Sequence, residues 1–122
     1  PPFTIAQTET AVPANIPLAD KIEQYYRVEL VENSLANLTI YCDLFVLADE
    51  TAASDLLSFL CATDMEVAEA PDVGETACAQ ESIGFRMVNF RQGALVVSIF
   101  GDGHGFGVDD WAKAVNGRLL AK

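Results

Sequence analysis

The stretch Ile83–Gly101 reads IGFRMVNFRQGALVVSIFG, and the fold turns on it. Two apolar-rich runs flank Arg91-Gln92-Gly93, a short polar turn whose glycine can take positive φ. The second run, Ala94 to Phe100, is β-branched and aromatic almost throughout. Seven such residues are too few for an ordinary helix and suit a strand buried on both faces. A β-hairpin at 83–100 is therefore expected at the centre of a sheet.

Downstream, Gly101 to Gly107 (GDGHGFG) is a glycine-rich loop. A helix is expected over 108–121, with Val108, Trp111, Ala112, Val115 and Leu119 on one side. Asp109 and Asp110 stand in its first turn and Lys113, Arg118 and Lys122 toward its end, as the helix dipole favours. Upstream, Leu38 to Val46 alternates as a strand, with Leu38, Ile40, Cys42, Leu44 and Val46 sharing a face. Tyr41 and Phe45 lie on the other face, which becomes an interaction surface if nothing covers it. Asp49 caps a helix expected over 50–62, with Ala53, Leu56, Leu57 and Leu60 as its apolar stripe. Short strands are expected at Met65–Ala68 and Thr76–Glu81, separated by the turn Pro71-Asp72-Val73-Gly74. Before them, Leu18, Ile22 and Tyr25 or Tyr26 recur at helical spacing after Asn15, which suggests a short helix giving way to strand near Arg27.

Residues 1–19 differ in kind. They hold four of the five prolines, three threonines and one charge, Glu9. This composition reads as an extended arm or tether, with Phe3 and Ile5 able to dock as alternate side chains of an added strand. The expected organisation is thus an arm over 1–19 and one α+β domain over 20–122. Its antiparallel sheet has four to five strands, and both helices, 50–62 and 108–121, pack on one face.

The whole chain has 122 residues, 51% of them hydrophobic, enough to bury a core in one domain. Its net charge is −11, and between Arg27 and Arg86 there are twelve carboxylates and no basic residue. Such a surface repels phosphate backbones and anionic lipid, so no nucleic-acid partner is expected; a basic protein or divalent cations are the partners it could attract. No apolar run approaches the ~20 residues of a membrane span. The Pro1-Pro2 start suggests a processed form with a possible upstream anchor.

The order of elements, with FRQGALVVSI and the trailing VDDWAKAVNGRLL, resembles small bacterial envelope domains: lipoproteins and the extracellular sensor domains of receptor kinases. The resemblance spans residues 37–121 and is one of element pattern. It implies an extracytoplasmic, non-catalytic α+β domain and carries over no functional residue.

Candidate chemistry is sparse. Cys42, Cys61 and Cys78 form no CxxC pair; Cys42 reads as a buried thiol, while Cys61 and Cys78 are either buried thiols or a disulfide in an oxidising compartment. His104 is the single histidine, and with Asp102, Asp109 and Asp110 it forms a weak metal set that lacks the spacing of a calcium loop. The glycines at every second position do not make the dinucleotide fingerprint. The serines have no nucleophile elbow around them. Neither a cofactor nor catalysis is expected. The leading expectation is an interaction or structural module of an envelope assembly, self-associating or binding protein through its arm. The alternative is a domain that senses a small ligand or cation with the 101–110 loop.

Overall fold

A computed structural model describes residues 3–12, 16–32, 39–62, 66–101 and 107–120. The chain is α+β: among the described residues, seven antiparallel strands form one sheet, with two helices. The strands are β1 (Phe3–Glu9), β2 (Ile22–Glu32), β3 (Thr39–Leu47), β4 (Glu66–Ala68), β5 (Thr76–Ser82), β6 (Phe85–Gln92) and β7 (Leu95–Gly101). Helix α1 (Glu50–Cys61) follows β3, and α2 (Val108–Leu120) follows β7. The strand order is β1-β2-β3-β7-β6-β5-β4. The chain meanders through β1 to β3, crosses to the far edge by way of α1, and meanders back until β7 closes against β3.

The hairpin expected at 83–100 is β6–β7, with Arg86 to Gln92 paired against Gly101 to Leu95. Gly93 takes the left-handed conformation at its turn (φ 61°). The sheet is wider than the four to five strands expected, for two reasons. First, the arm is part of it. Phe3 pairs with Glu32 and Ile5 with Leu30, so β1 is an edge strand of the chain's own sheet and 3–9 belong to the domain rather than to a separate tether. Second, the helix expected from Leu18 to Tyr26 is a single 3₁₀ turn at Ala19–Lys21 that leads straight into β2. Its apolar spacing also fits a strand, because a bulge between Ile22 and Gln24 resets the alternation.

The second correction concerns the helices: they lie on opposite faces, not one. Val97 and Ile99 of β7 pack with Val88, Phe90, Ile40 and Leu30 beneath Val108 and Ala112 of α2. Their neighbour Val96 points the other way, joining Tyr25, Phe45 and Leu47 beneath Ala52, Ala53, Leu56 and Leu57 of α1. Consecutive side chains of a strand alternate between faces, so a strand apolar at every position needs cover on both. The same logic corrects β3. Ile40, Cys42 and Leu44 do pack on the α2 side, yet Phe45 and Leu47 on the opposite side are as fully buried as Ile40 and more so than Cys42 and Leu44. Leu38 lies outside the described residues.

Local chemistry sets the helix ends. The Asp49 carboxylate accepts the Ala52 amide at 2.8 Å, capping α1. Arg86 anchors the start of α2 with two bonds to Asp109, at 2.8 and 3.1 Å, and one to the Glu69 carbonyl.

The β4–β5 connection is held by Gly74 (φ 65°), whose amide donates to Asn116 of α2. A Cβ there would meet the Arg91 carbonyl oxygen at 2.6 Å, and that carbonyl already accepts the Glu75 amide. Gly84, also left-handed, has open space around it. Gly84→Ala is expected to cost about 1–2 kcal/mol, the strain of the backbone region alone. Gly74→Ala should cost distinctly more, because β6 cannot yield the carbonyl; urea unfolding of the two variants makes the comparison, and equal losses would count against this packing.

Candidate functional site

Helix α1 crosses only one end of its face of the sheet. Near its start Glu50 lies 3.6 Å from Arg91, beside the β6–β7 turn. At its end Cys61 is bonded to Cys78 of β5. The bridge closes a loop of sequence separation 17 and pins the helix to the strand. Beyond α1, a line of polar side chains runs across the sheet. Register places Arg27 opposite Asp43, Asp43 opposite Ser98, Ser98 opposite Asn89, and Asn89 opposite Cys78, all on the α1 face.

This line is largely self-satisfied. Arg27 grips Asp43 with Nε at 2.6 Å and a terminal nitrogen at 2.8 Å, and Tyr25 donates its hydroxyl to the same carboxylate at 3.1 Å. Gln80 donates to the Cys61 carbonyl at 2.7 Å, closing off the end of α1. The Asn89 side-chain amide donates to the Cys78 sulfur and to Gln80 Oε1, while its own buried Oδ1 has no partner among the described residues. The ion pair has one side largely buried: Asp43 is 12% exposed, Arg27 37%.

Past the polar line the same face changes character. Register aligns Glu29, Tyr41, Phe100, Met87, Gln80 and Val67 in one row across six strands, with Phe85 further out on β6. Tyr41, Met87 and Phe100 are half-buried, Phe85 is 41% exposed and Val67 82%. Phe85 and Phe100 stack at 5.3 Å between ring centroids. The Arg27 guanidinium lies 5.3 Å from the centre of the Tyr41 ring. An apolar and aromatic surface is thus presented over β3, β7 and β6, where α1 does not reach, while Gln80, buried against the end of α1, separates it from Val67.

Of the pair Tyr41 and Phe45, Phe45 is covered by α1, while Tyr41 lies in the uncovered half. Asp102 and His104 lie outside the described residues. Asp109 has both carboxylate oxygens occupied by Arg86, and Asp110 is exposed one residue on. Among the described residues no three His, Cys, Asp or Glu side chains converge as metal ligands would. Phe3 and Ile5 pair through their main chains with Glu32 and Leu30 of β2, within the chain's own sheet.

Sequence reasoning missed Phe85, Met87, Phe100 and the Arg27–Asp43 pair. One signal was in view: Asp43 is a lone charge inside TIYCDLFVL, and a carboxylate there needs a cation across the strand. The aromatic residues had no such mark, since core and surface strands use the same types.

Three solution tests follow from this geometry. In denaturant without reductant, one thiol per chain, Cys42, should react. In the folded protein that thiol should resist alkylation near neutral pH, because burial first and Asp43 second push its pKa up to about 12. Cutting the bridge with Cys61→Ala and Cys78→Ala should cost about 3 kcal/mol, as expected for a loop of this size.

Burial, and after it the charge of Asp43, raises the Tyr25 hydroxyl from 10.0 to about 12. The folded state therefore holds that proton more tightly than the unfolded chain does. The resulting stability is complete below pH 10 and is lost as the pH rises through 12. An ultraviolet titration should show a late phenolate step near pH 12 that Tyr25→Phe removes.

No protein-family model, no curated protein and no solved structure matches the chain.

Proposed function

We propose that the chain is a non-catalytic, extracytoplasmic interaction module that docks a protein through the half of its α1 face that α1 leaves open. The observation that carries the proposal is that half itself. Tyr41, Met87, Phe100 and Phe85 sit side by side on a rigid sheet, partly exposed, beside a polar border. Exposed apolar groups scattered singly are ordinary; aromatic residues and methionine grouped on one flat surface are the composition of an interface core.

The non-catalytic part rests on how the polar groups are used. Asp43 is held by Arg27 and Tyr25, Gln80 by the end of α1, and Asp109 by Arg86. Groups held in this way hold the fold together and are not free to move protons. The Cys61–Cys78 bridge supports an oxidising compartment. Main-chain pairing of the 3–9 segment inside its own sheet moves the proposed docking surface away from the N-terminal arm.

Selection of peptides from a random displayed library, run in parallel on the wild type and on Phe85→Ser, tests the proposal. Phe85 is exposed enough for serine to leave the fold intact, which thermal unfolding verifies. Peptides enriched on the wild type should lose at least tenfold in affinity on the variant, the ordinary loss for a hot-spot residue. Their amide shift changes should fall on Tyr41, Met87 and Phe100. Enriched peptides that bind both proteins equally, or that map to the α2 side, would refute it.

A further inference from the structure

We infer that the Cys61–Cys78 bridge is a thiol-reactive site with a fixed direction: an external thiolate attacks the Cys61 sulfur, and Cys78 leaves as the thiolate. The inference is independent of the docking face. Three observations carry it. The first is a pair of donors at one sulfur. Gln80 Nε2 donates to Cys78 Sγ at 3.4 Å and Asn89 Nδ2 at 3.7 Å. No such donor meets Cys61 Sγ among the described residues. The main chain sets both amides. The Cys61 carbonyl can only accept, so Gln80 turns its nitrogen toward it, at 2.7 Å. Gln80 Oε1 then faces Asn89 and takes an N–H from it at 3.5 Å. Each side-chain nitrogen carries a second hydrogen, and both of these go to Cys78.

The second is what Asn89 leaves undone. It is wholly buried, and its Oδ1 has no partner among the described residues. An apolar side chain would fill the position without that cost, so the use of an asparagine here lies in its nitrogen. The third is where the two sulfurs stand. Cys61 is the last residue of α1, where the carbonyl end of the helix dipole disfavours a thiolate, and Ala62 beyond it is exposed. Cys78 lies within β5, flanked by the almost wholly buried Gln80 and Asn89. Negative charge is thus stabilised at Cys78 and opposed at Cys61. In thiol–disulfide exchange the better-stabilised thiolate is the one that leaves.

In the first step the thiolate forms a bond to Cys61 Sγ, the Cys61–Cys78 bond breaks, and its electron pair stays on Cys78. A second thiolate then attacks the outer sulfur of the mixed disulfide. It releases Cys61 as a thiolate and leaves joined to the first thiol as their own disulfide. The two external thiols are oxidised and the bridge is reduced. The end of α1 is then no longer covalently tied to β5. Both cysteines are partly exposed, which gives a small thiol access.

The test uses the oxidised full chain and 2-mercaptoethanol, a neutral monothiol. Early in the reaction, free thiols are capped with N-ethylmaleimide under native conditions, and peptide mass spectrometry locates each adduct. Mercaptoethanol should fall on Cys61 and maleimide on Cys78, with a preference of roughly tenfold, the size expected of two hydrogen bonds to a leaving thiolate. Asn89→Leu and Gln80→Met, made singly, each remove one donor and should bring the two adducts toward equal amounts; thermal unfolding verifies that each variant is folded. Leu57→Ala loosens the packing of α1 without touching either donor, and should leave the adduct ratio unchanged. Equal adducts in the wild type, or mercaptoethanol mainly on Cys78, would overturn the inference. So would a ratio that neither donor variant moves, or a bridge that opens only once the protein unfolds.

Discussion

The fold depends on the burial of β7 from both sides. Val96, Val97 and Ile99 are each almost wholly removed from water, yet Val96 faces α1 and the other two face α2. Fully burying side chains of this size contributes roughly 1.5–3 kcal/mol each, and it can be collected only if both faces are roofed. A sheet with one roof would leave half of this strand in water. The connection β3–α1–β4 and the C-terminal helix supply the two roofs. The pairing of β7 with β3 on one side and β6 on the other then joins the first and last parts of the chain.

The two roofs differ in extent. On the α2 side the core runs from Leu30 and Ile40 across to Ala79, with Trp111, Val115 and Leu119 completing the cover. On the α1 side a helix of twelve residues has to serve a sheet of seven strands. It is stitched down at both ends, through Arg91 near its start and the Cys61–Cys78 bridge at its finish. The rest of that face needs another way to end the hydrophobic core. The Tyr25–Arg27–Asp43 cluster and the Ser98–Asn89 pair provide it, as a polar seam between the covered and the open halves. Buried polar groups of this kind contribute little net stability, but they do mark where the core stops.

That seam gives the open half its character. It lies on paired strands of the sheet, so its side chains are presented without the ordering cost that a loop would carry. Its aromatic rings are partly packed on one another and on Arg27, which keeps them in fixed positions. The result is a half-face that is apolar and aromatic at its centre, bordered by polar groups and carried on a sheet.

Local sequence alone determined the elements where one periodicity was unopposed. The LVVSIF strand, the Asp49-capped helix and the Val108–Trp111–Val115–Leu119 stripe all emerge from nearest-neighbour chemistry, because caps, turns and repeat lengths act within a few residues. The Leu18–Tyr26 segment did not, since its apolar spacing fits a helical turn or a bulged strand equally well until β3 is there to pair with it. Nor did the side of the sheet that each helix takes, which depends on the handedness and length of connections between distant strands. The open half-face was the least legible feature of all. Tyr41 and Phe45 lie on the same face of one strand, four residues apart, and their sequence surroundings are alike. Only the reach of α1, a matter of three-dimensional length against sheet width, buries one and leaves the other partly exposed.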